Sequence, residues 1–77
     1  MDTYKNIIVS DNQICNGKPV IKGTRITVYS VLEFLSSGDS YDDVLNAFPS
    51  LKKEHIMACL QFASDVMKKN YSYKPVA

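Results

Sequence analysis

The sequence is poor in the residues that build metal, disulfide and membrane sites. Its 77 residues include only two cysteines, Cys15 and Cys59, which have neither CxxC spacing nor a neighbouring histidine. They predict reduced, buried thiols rather than a metal centre or a disulfide. No apolar run approaches the length of a membrane span, and residues 1–5 lack the apolar core of a secretion signal. We therefore expect a cytoplasmic protein without a metal ion or a membrane partner.

The sequence also contains little that could support catalysis. His55 is the only histidine, and no spacing joins it to a serine, a cysteine or an acidic residue as a catalytic set. Asp39, Asp42 and Asp43 resemble a carboxylate cluster, but the start of a helix already accounts for them. The loop 16–24 carries glycine and lysine without the spacing of a Walker phosphate loop. The expected protein is not an enzyme, has no catalytic residue and uses no cofactor.

The net charge of +1 conceals a segregation of charge along the chain. Residues 1–25 carry a net charge of +2, residues 26–49 carry −4 and residues 50–77 carry +3. A chain of this length forms one small domain. Its nearly neutral total is therefore compatible with a basic face.

The first third of the chain predicts a short β element within residues 1–27. Residues 7–9 are a β-branched run, and Asn16-Gly17 is a strong hairpin signal. Pro19 cannot donate to a strand ladder, so a strand that contains it lies at an edge. We expect two or three very short strands here.

A helical period begins at Val28, with apolar residues at i, i+3, i+4 and i+7. This spacing predicts an amphipathic helix with Thr27 as its N-cap and Gly38 just beyond its end. Ser40 and Asp43 then have the spacing of a capping box, which predicts a second helix.

A third helix is predicted from about Lys52 to Asn70, the longest element of the chain. Its start is weakly marked, because Lys52 stands where a serine or threonine would cap best, unless Ser50 takes that role. Its apolar stripe is expected to face the core. This stripe consists of Ile56, Cys59, Leu60, Ala63, Val66 and Met67.

The order of elements predicts a mainly α fold of the helix-turn-helix type, homeodomain- or winged-helix-like, preceded by the β element. Residues 28–70 form its three-helix core, and residues 71–77 form a tail that is frayed or extended along a partner. The first turn of the third helix would then reach DNA through Lys52, Lys53 and His55. An ordinary three-helix cluster with a solvated lysine turn fits the pattern equally well.

Three further basic residues, Lys18, Lys22 and Arg25, cluster in the β segment. They could contact a phosphate or an acidic partner, or form a solvated rim that protects a β edge. Arg25, the only arginine, could instead pair internally with the acidic residues 39–43. We favour this internal role for Arg25 over ligand contact.

The segment Gly17-Lys18-Pro19-Val20-Ile21-Lys22-Gly23-Thr24-Arg25-Ile26-Thr27-Val28 resembles the domain-of-unknown-function 433 family of small prokaryotic proteins. Residues 44–51 and 56–63 fit the same pattern, so the resemblance covers roughly residues 7–66. Two positions depart from it: Phe48 replaces a usual tyrosine, and Lys52 replaces a usual serine or threonine.

This resemblance implies a helix-turn-helix-like fold and a VapB-like antitoxin, often encoded beside a PIN-like toxin. One hypothesis is therefore an antitoxin that neutralises a PIN-like toxin from its own operon and binds promoter DNA as a homodimer or higher oligomer. The alternative is a protein-interaction or oligomerisation module that never binds DNA. Exposed aromatic side chains would then anchor the partner. They are Tyr29, Phe34, Tyr71 and Tyr73.

Overall fold

Three helices pack behind a two-stranded antiparallel sheet, as the sequence predicts. The computed structural model describes Tyr4 and residues 6–70 of the chain. Within this part, no helix combines the length and the apolar character needed to cross a membrane. The elements in chain order are β1 Ile8–Val9, β2 Val20–Ile21, α1 Val28–Ser36, α2 Tyr41–Ala47 and α3 Lys53–Asn70.

The two strands pair antiparallel, with Ile8 opposite Ile21. Asn16 and Gly17 have φ values of 57° and 81°, the left-handed conformation that a tight hairpin turn requires. They lie, however, inside a wide loop of residues 10–19, so they do not join the two strands directly. The register of the sheet is set by pairing between strands that are distant in sequence. The local turn at Asn16-Gly17 does not set it.

A tighter turn follows β2 and is held by one hydroxyl group. Thr24 donates from its Oγ1 to the Ile21 carbonyl at 2.7 Å, and the same oxygen accepts from the Ile26 N–H at 3.0 Å. Gly23 has a φ of 81°, which suits the third position of a type II turn. Gly23 and Thr24 belong to the segment that carries the family resemblance. They therefore fix the main-chain conformation of this turn.

The predicted caps of α1 and α2 are confirmed. Thr27 accepts from the Ser30 N–H at 3.0 Å, and Gly38 follows the end of α1 with a φ of 93°. At α2, Ser40 Oγ accepts from the Asp43 N–H at 3.1 Å, while the Asp43 carboxylate accepts from the Ser40 N–H at 2.9 Å. Both ends of the capping box are thus formed.

The start of α3 is capped by a residue that the sequence did not single out for this role. The Lys52 N–H donates to His55 Nδ1 at 2.8 Å, and the His55 N–H donates to the Lys52 carbonyl at 2.9 Å. His55 thereby occupies the place of glutamate or glutamine in a capping box. Lys52 stands directly before the helix, and Ser50, the alternative cap, forms no side-chain hydrogen bond in the described part of the chain.

We expect His55→Ala to destabilise the domain by about 1 kcal/mol, the usual contribution of a helix cap. His55→Gln should retain most of that stability, because glutamine is an ordinary acceptor at this position. Urea denaturation followed by circular dichroism measures both variants. Equal losses for alanine and glutamine would show that the imidazole acts through packing and not through its acceptor nitrogen.

The core lies where α1, α2, α3 and β1 meet. Cys59 is fully buried, and burial raises the pKa of its thiol to about 11, so it is a poor nucleophile. Cys15 is only half-buried, which corrects the expectation of two buried thiols, and both cysteines are free. The core consists of Ile8, Ile21, Val28, Val31, Val44, Leu51, Ile56, Ala58 and Cys59.

Candidate functional site

The basic residues of the β segment are exposed, and the Arg25 side chain has no acidic partner in the described part of the chain. Lys22 and Arg25 flank the turn that Thr24 holds. Within Tyr4 and residues 6–70, no acidic side chain forms an ion pair with Arg25, so its predicted pairing with residues 39–43 is wrong. The Arg25 guanidinium therefore remains available to solvent or to a partner.

The six predicted phosphate-binding residues do not form one compact cluster. Lys18 lines the same groove as Met67, which is near the end of α3, whereas Lys53 begins that helix. At 1.5 Å per residue, the backbone positions of Lys53 and Met67 are roughly 21 Å apart along the axis. Any anionic ligand that contacts both ends must be as long as a stretch of nucleic acid or a protein surface.

The predicted DNA-reading turn of α3 is partly committed to contacts within the domain. His55 Nδ1 accepts the Lys52 N–H, and Lys53 Nζ lies 5.9 Å from the centroid of the Tyr41 ring. This last distance is within the range of a cation–π contact. Lys52 alone among the three keeps a side chain that is exposed and without such a contact in the described part of the chain.

An apolar groove of about 510 Å³ lies between α1, α3 and the loop before β2. We call it the α1–α3 groove. Among the described residues that line it, Lys18 is the one with a charged side chain, and Lys18 is exposed. The apolar side chains that line it include Tyr29, Leu32, Phe62, Val66 and Met67.

Tyr29 is the most exposed aromatic side chain in the described part of the chain, at 66%. Its hydroxyl bonds to the Glu33 carboxylate, and this hydrogen bond, together with the negative charge, raises the pKa of Tyr29. Tyr29 and Glu33 lie four residues apart on α1, and the Tyr29 ring lines the groove. Exposure of Tyr29, as the sequence predicts, is confirmed.

The other predicted aromatic anchors have different outcomes. Phe34 is half-buried, and its ring meets Phe48 edge-on at 5.3 Å between centroids, so the expected exposure of Phe34 is wrong. Tyr71 and Tyr73 lie outside the described residues. Tyr29 is thus the one predicted anchor that the described surface presents.

Part of the stripe predicted to face the core is instead exposed. Leu60 is 39% exposed and Met67 is 57% exposed. The reason is helix geometry: at about 100° per residue, Leu60 and Met67 lie on one side of Ile56, whereas the fully buried Cys59 lies on the other side. The angular positions of these residues around the helix were the available signal for this surface.

The fold and the surface define the class of protein. It is a small helix-turn-helix-like domain with an apolar groove beside its longest helix. The chain belongs to the family described as "Protein of unknown function (DUF433)", whose model matches residues 8–63. The recognition made from the glycine, proline and threonine segment is thereby confirmed.

Two relatives place the chain in context. It is 40% identical over 52 residues to "Uncharacterized protein y4eO" of Sinorhizobium fredii, a match that covers 68% of this chain and 24% of that protein. The crystal structure of a DUF433 member from Anabaena variabilis superposes with a TM-score of 0.77 at 23% identity, covering 84% of this chain and 64% of that one. The chain thus spans about a quarter of the first relative and less than two thirds of the second. The structural likeness establishes the fold.

Within the described part of the chain, no group of three or more His, Cys, Asp or Glu side chains is placed to hold a metal ion. No buried side-chain nitrogen or oxygen there is left without a hydrogen bond. The described surface offers an apolar groove, an exposed aromatic ring and dispersed positive charge.

Proposed function

We propose that this chain is an antitoxin that binds and neutralises a PIN-like toxin encoded in the same operon. The observation that carries the proposal is the α1–α3 groove, with Tyr29 exposed at its mouth. The family resemblance supports a PIN-like toxin as the partner, and the exposed apolar side chains of the groove support binding at this surface. Toxin binding through this groove does not require any catalytic residue in the chain.

The side chains of the groove suit a protein segment. Aromatic and methionine side chains are enriched at the centres of protein interfaces, and Met67 can adapt its shape to the partner. Grooves between helices accept amphipathic helices, whose apolar side chains recur every three or four residues. Lys18 at the edge would favour a partner segment with an acidic residue beside its apolar face.

The test is co-expression with the toxin-like product of the adjacent open reading frame, followed by measurement of affinity. Tyr29→Ala should weaken binding about tenfold or more, because a large exposed ring at such a position commonly acts as an anchor. Tyr29→Phe retains the ring without the hydroxyl and should bind nearly as well as the original chain. Lys52→Ala, which lies at the other end of α3, is the control outside the groove.

A complex that forms with unchanged affinity when Tyr29 is alanine would place the toxin on another surface. Failure of the chain to bind the adjacent gene product at all would overturn the proposal. Circular dichroism of each variant separates a lost contact from a lost fold.

A second function, binding of operator DNA, is favoured by one observation: Lys22, Arg25 and Lys52 are exposed and have no acidic partner in the described part of the chain. Phosphate contacts from such residues produce binding that weakens steeply with salt. A gel-shift titration with the promoter, repeated at two salt concentrations, tests this function. Binding that lacks both salt dependence and a preference for the promoter sequence would count against it.

A further inference from the structure

A second exposed apolar surface runs along α3, separate from its core face. Met57 is 57% exposed, Leu60 is 39% exposed and Met67 is 57% exposed. Together with the exposed Ser64 they form what we call the outer stripe. The core face of the same helix contains Ile56 and Cys59, which are fully buried. The outer stripe therefore adds nothing to the core and faces solvent in the single chain.

The spacing of the outer stripe is that of a helix-pairing seam. Its members, Met57, Leu60, Ser64 and Met67, follow one another at intervals of three, four and three residues. Alternation of three and four keeps apolar side chains on one side of a helix, where they can interlock with a second helix. Ser64 is small and lets a facing leucine approach closely. The stripe extends over about 15 Å of helix.

The polar edge of the stripe carries opposite charges at its two ends. Glu54, Gln61 and Lys68 recur every seven residues beside the outer stripe, and all three are exposed. Gln61 lies midway and donates to the Asp65 carboxylate at 3.0 Å. A parallel pair of such helices would place this edge of the two copies on opposite sides of the seam, so that Glu54 and Lys68 of the two copies would not meet. An antiparallel pair sets Glu54 of each copy near Lys68 of the other, which is attractive at both ends.

We propose that the outer stripe is a homodimer interface in which two copies of α3 pack antiparallel about a two-fold axis near Gln61. Such an interface is isologous and closed, because each copy uses the same patch. It places Leu60 of one copy against Ser64 of the other. The proposal is independent of toxin binding, since Tyr29 and Lys18 of the α1–α3 groove take no part in it, and only Met67 borders both surfaces.

The expected dimer is weak. One pair of helices in contact over about 15 Å buries less than the ~800 Å² per partner of a standard interface. Because the interface is this small, we expect the dimer to dissociate at roughly micromolar concentrations. The dimer should therefore form at high concentration and dissociate on dilution.

Sedimentation equilibrium of the full chain between about 1 and 500 µM measures this directly, because the dimer fraction must rise with concentration. Leu60→Asp should raise the dissociation constant about tenfold or more, since it sets a charge at the centre of the seam. Ser64→Glu is a second variant whose side chain is exposed and does not contact the core. Tyr29→Ala should leave the dimer unchanged, which distinguishes this surface from the groove.

Charge exchange tests the direction of the helices. Glu54→Lys and Lys68→Glu should each weaken the antiparallel dimer, and the double exchange should restore it, because opposite charges again face each other. A parallel dimer would show no such rescue. A chain that stays monomeric across the whole range, or a dimer unaffected by both Leu60→Asp and Ser64→Glu, would overturn the proposal. Helical circular dichroism confirms that each variant remains folded.

Discussion

Replacing Ile56 by alanine should destabilise this domain by about 2–5 kcal/mol, the largest effect expected of the single substitutions considered. Ile56 is fully buried on α3, and the core around it joins three helices and the sheet. Alanine removes three carbon atoms and leaves a cavity that neighbouring side chains fill only partly. A domain of 77 residues has a total stability of roughly 4–11 kcal/mol, so the loss is a large part of the whole.

Urea denaturation at low protein concentration measures this loss on the monomer. Ile56→Val removes one methyl group and should cost about 0.5–1.5 kcal/mol, which tests whether the effect scales with the volume removed. Met57→Ala, at the next position of the same helix, removes a side chain that is 57% exposed and should change stability by less than about 0.5 kcal/mol. A loss at Met57 equal to that at Ile56 would contradict the assignment of the two helix faces.

Replacing Thr24 by valine should destabilise the domain by about 1–3 kcal/mol, although the two side chains have nearly the same shape. Thr24 Oγ1 donates to the Ile21 carbonyl at 2.7 Å and accepts from the Ile26 N–H at 3.0 Å. Valine leaves that part-buried N–H without its side-chain acceptor. This N–H lies beside the turn that follows β2, so the loss falls on the segment by which the family is recognised.

Thr24→Ser is the matched variant, because it retains the hydroxyl and removes only a methyl group. We expect its free energy of unfolding to lie closer to that of the original chain than to that of Thr24→Val. The same urea titration compares the three proteins. If serine and valine are equally destabilising, the methyl group rather than the hydroxyl holds the turn.

The helices could be predicted from the sequence because their boundaries depend on neighbouring residues. Thr27 caps α1, and Ser40 with Asp43 caps α2, through hydrogen bonds that span three residues or fewer. Such contacts can be predicted from the local sequence. The start of α3 was harder to predict, because a histidine stands where a capping box usually has glutamate or glutamine.

The β segment was less predictable, because its pairing joins residues that are distant in sequence. Asn16-Gly17 has the conformation of a hairpin turn, yet Ile8 pairs with Ile21 across a much wider loop. Arg25 shows that the ion-pair partner of a charged side chain is equally hard to predict. Its suitability for an ion pair was evident from residue type, but Arg25 forms no ion pair in the described part of the chain.

The candidate binding surface depends on which flank of α3 the other elements cover. Periodicity assigned Leu60 and Met67 to one apolar stripe with Ile56, and it could not separate the buried face from the exposed flank. The groove combines Tyr29 of α1 with Phe62 of α3, which only the tertiary structure brings together. Exposure of Tyr29 was predictable because it lies off the apolar face of α1.

The turn after β2 has a consequence for protein engineering. Its shape is held by Gly23, by the Thr24 hydroxyl and by main-chain groups, including the Lys22 N–H that donates to the Ile7 carbonyl at 2.7 Å. The side chains of Lys22 and Arg25 contribute nothing to that framework and project from a fixed backbone. These two positions form a natural grafting site, where new recognition chemistry can be displayed without rebuilding the domain.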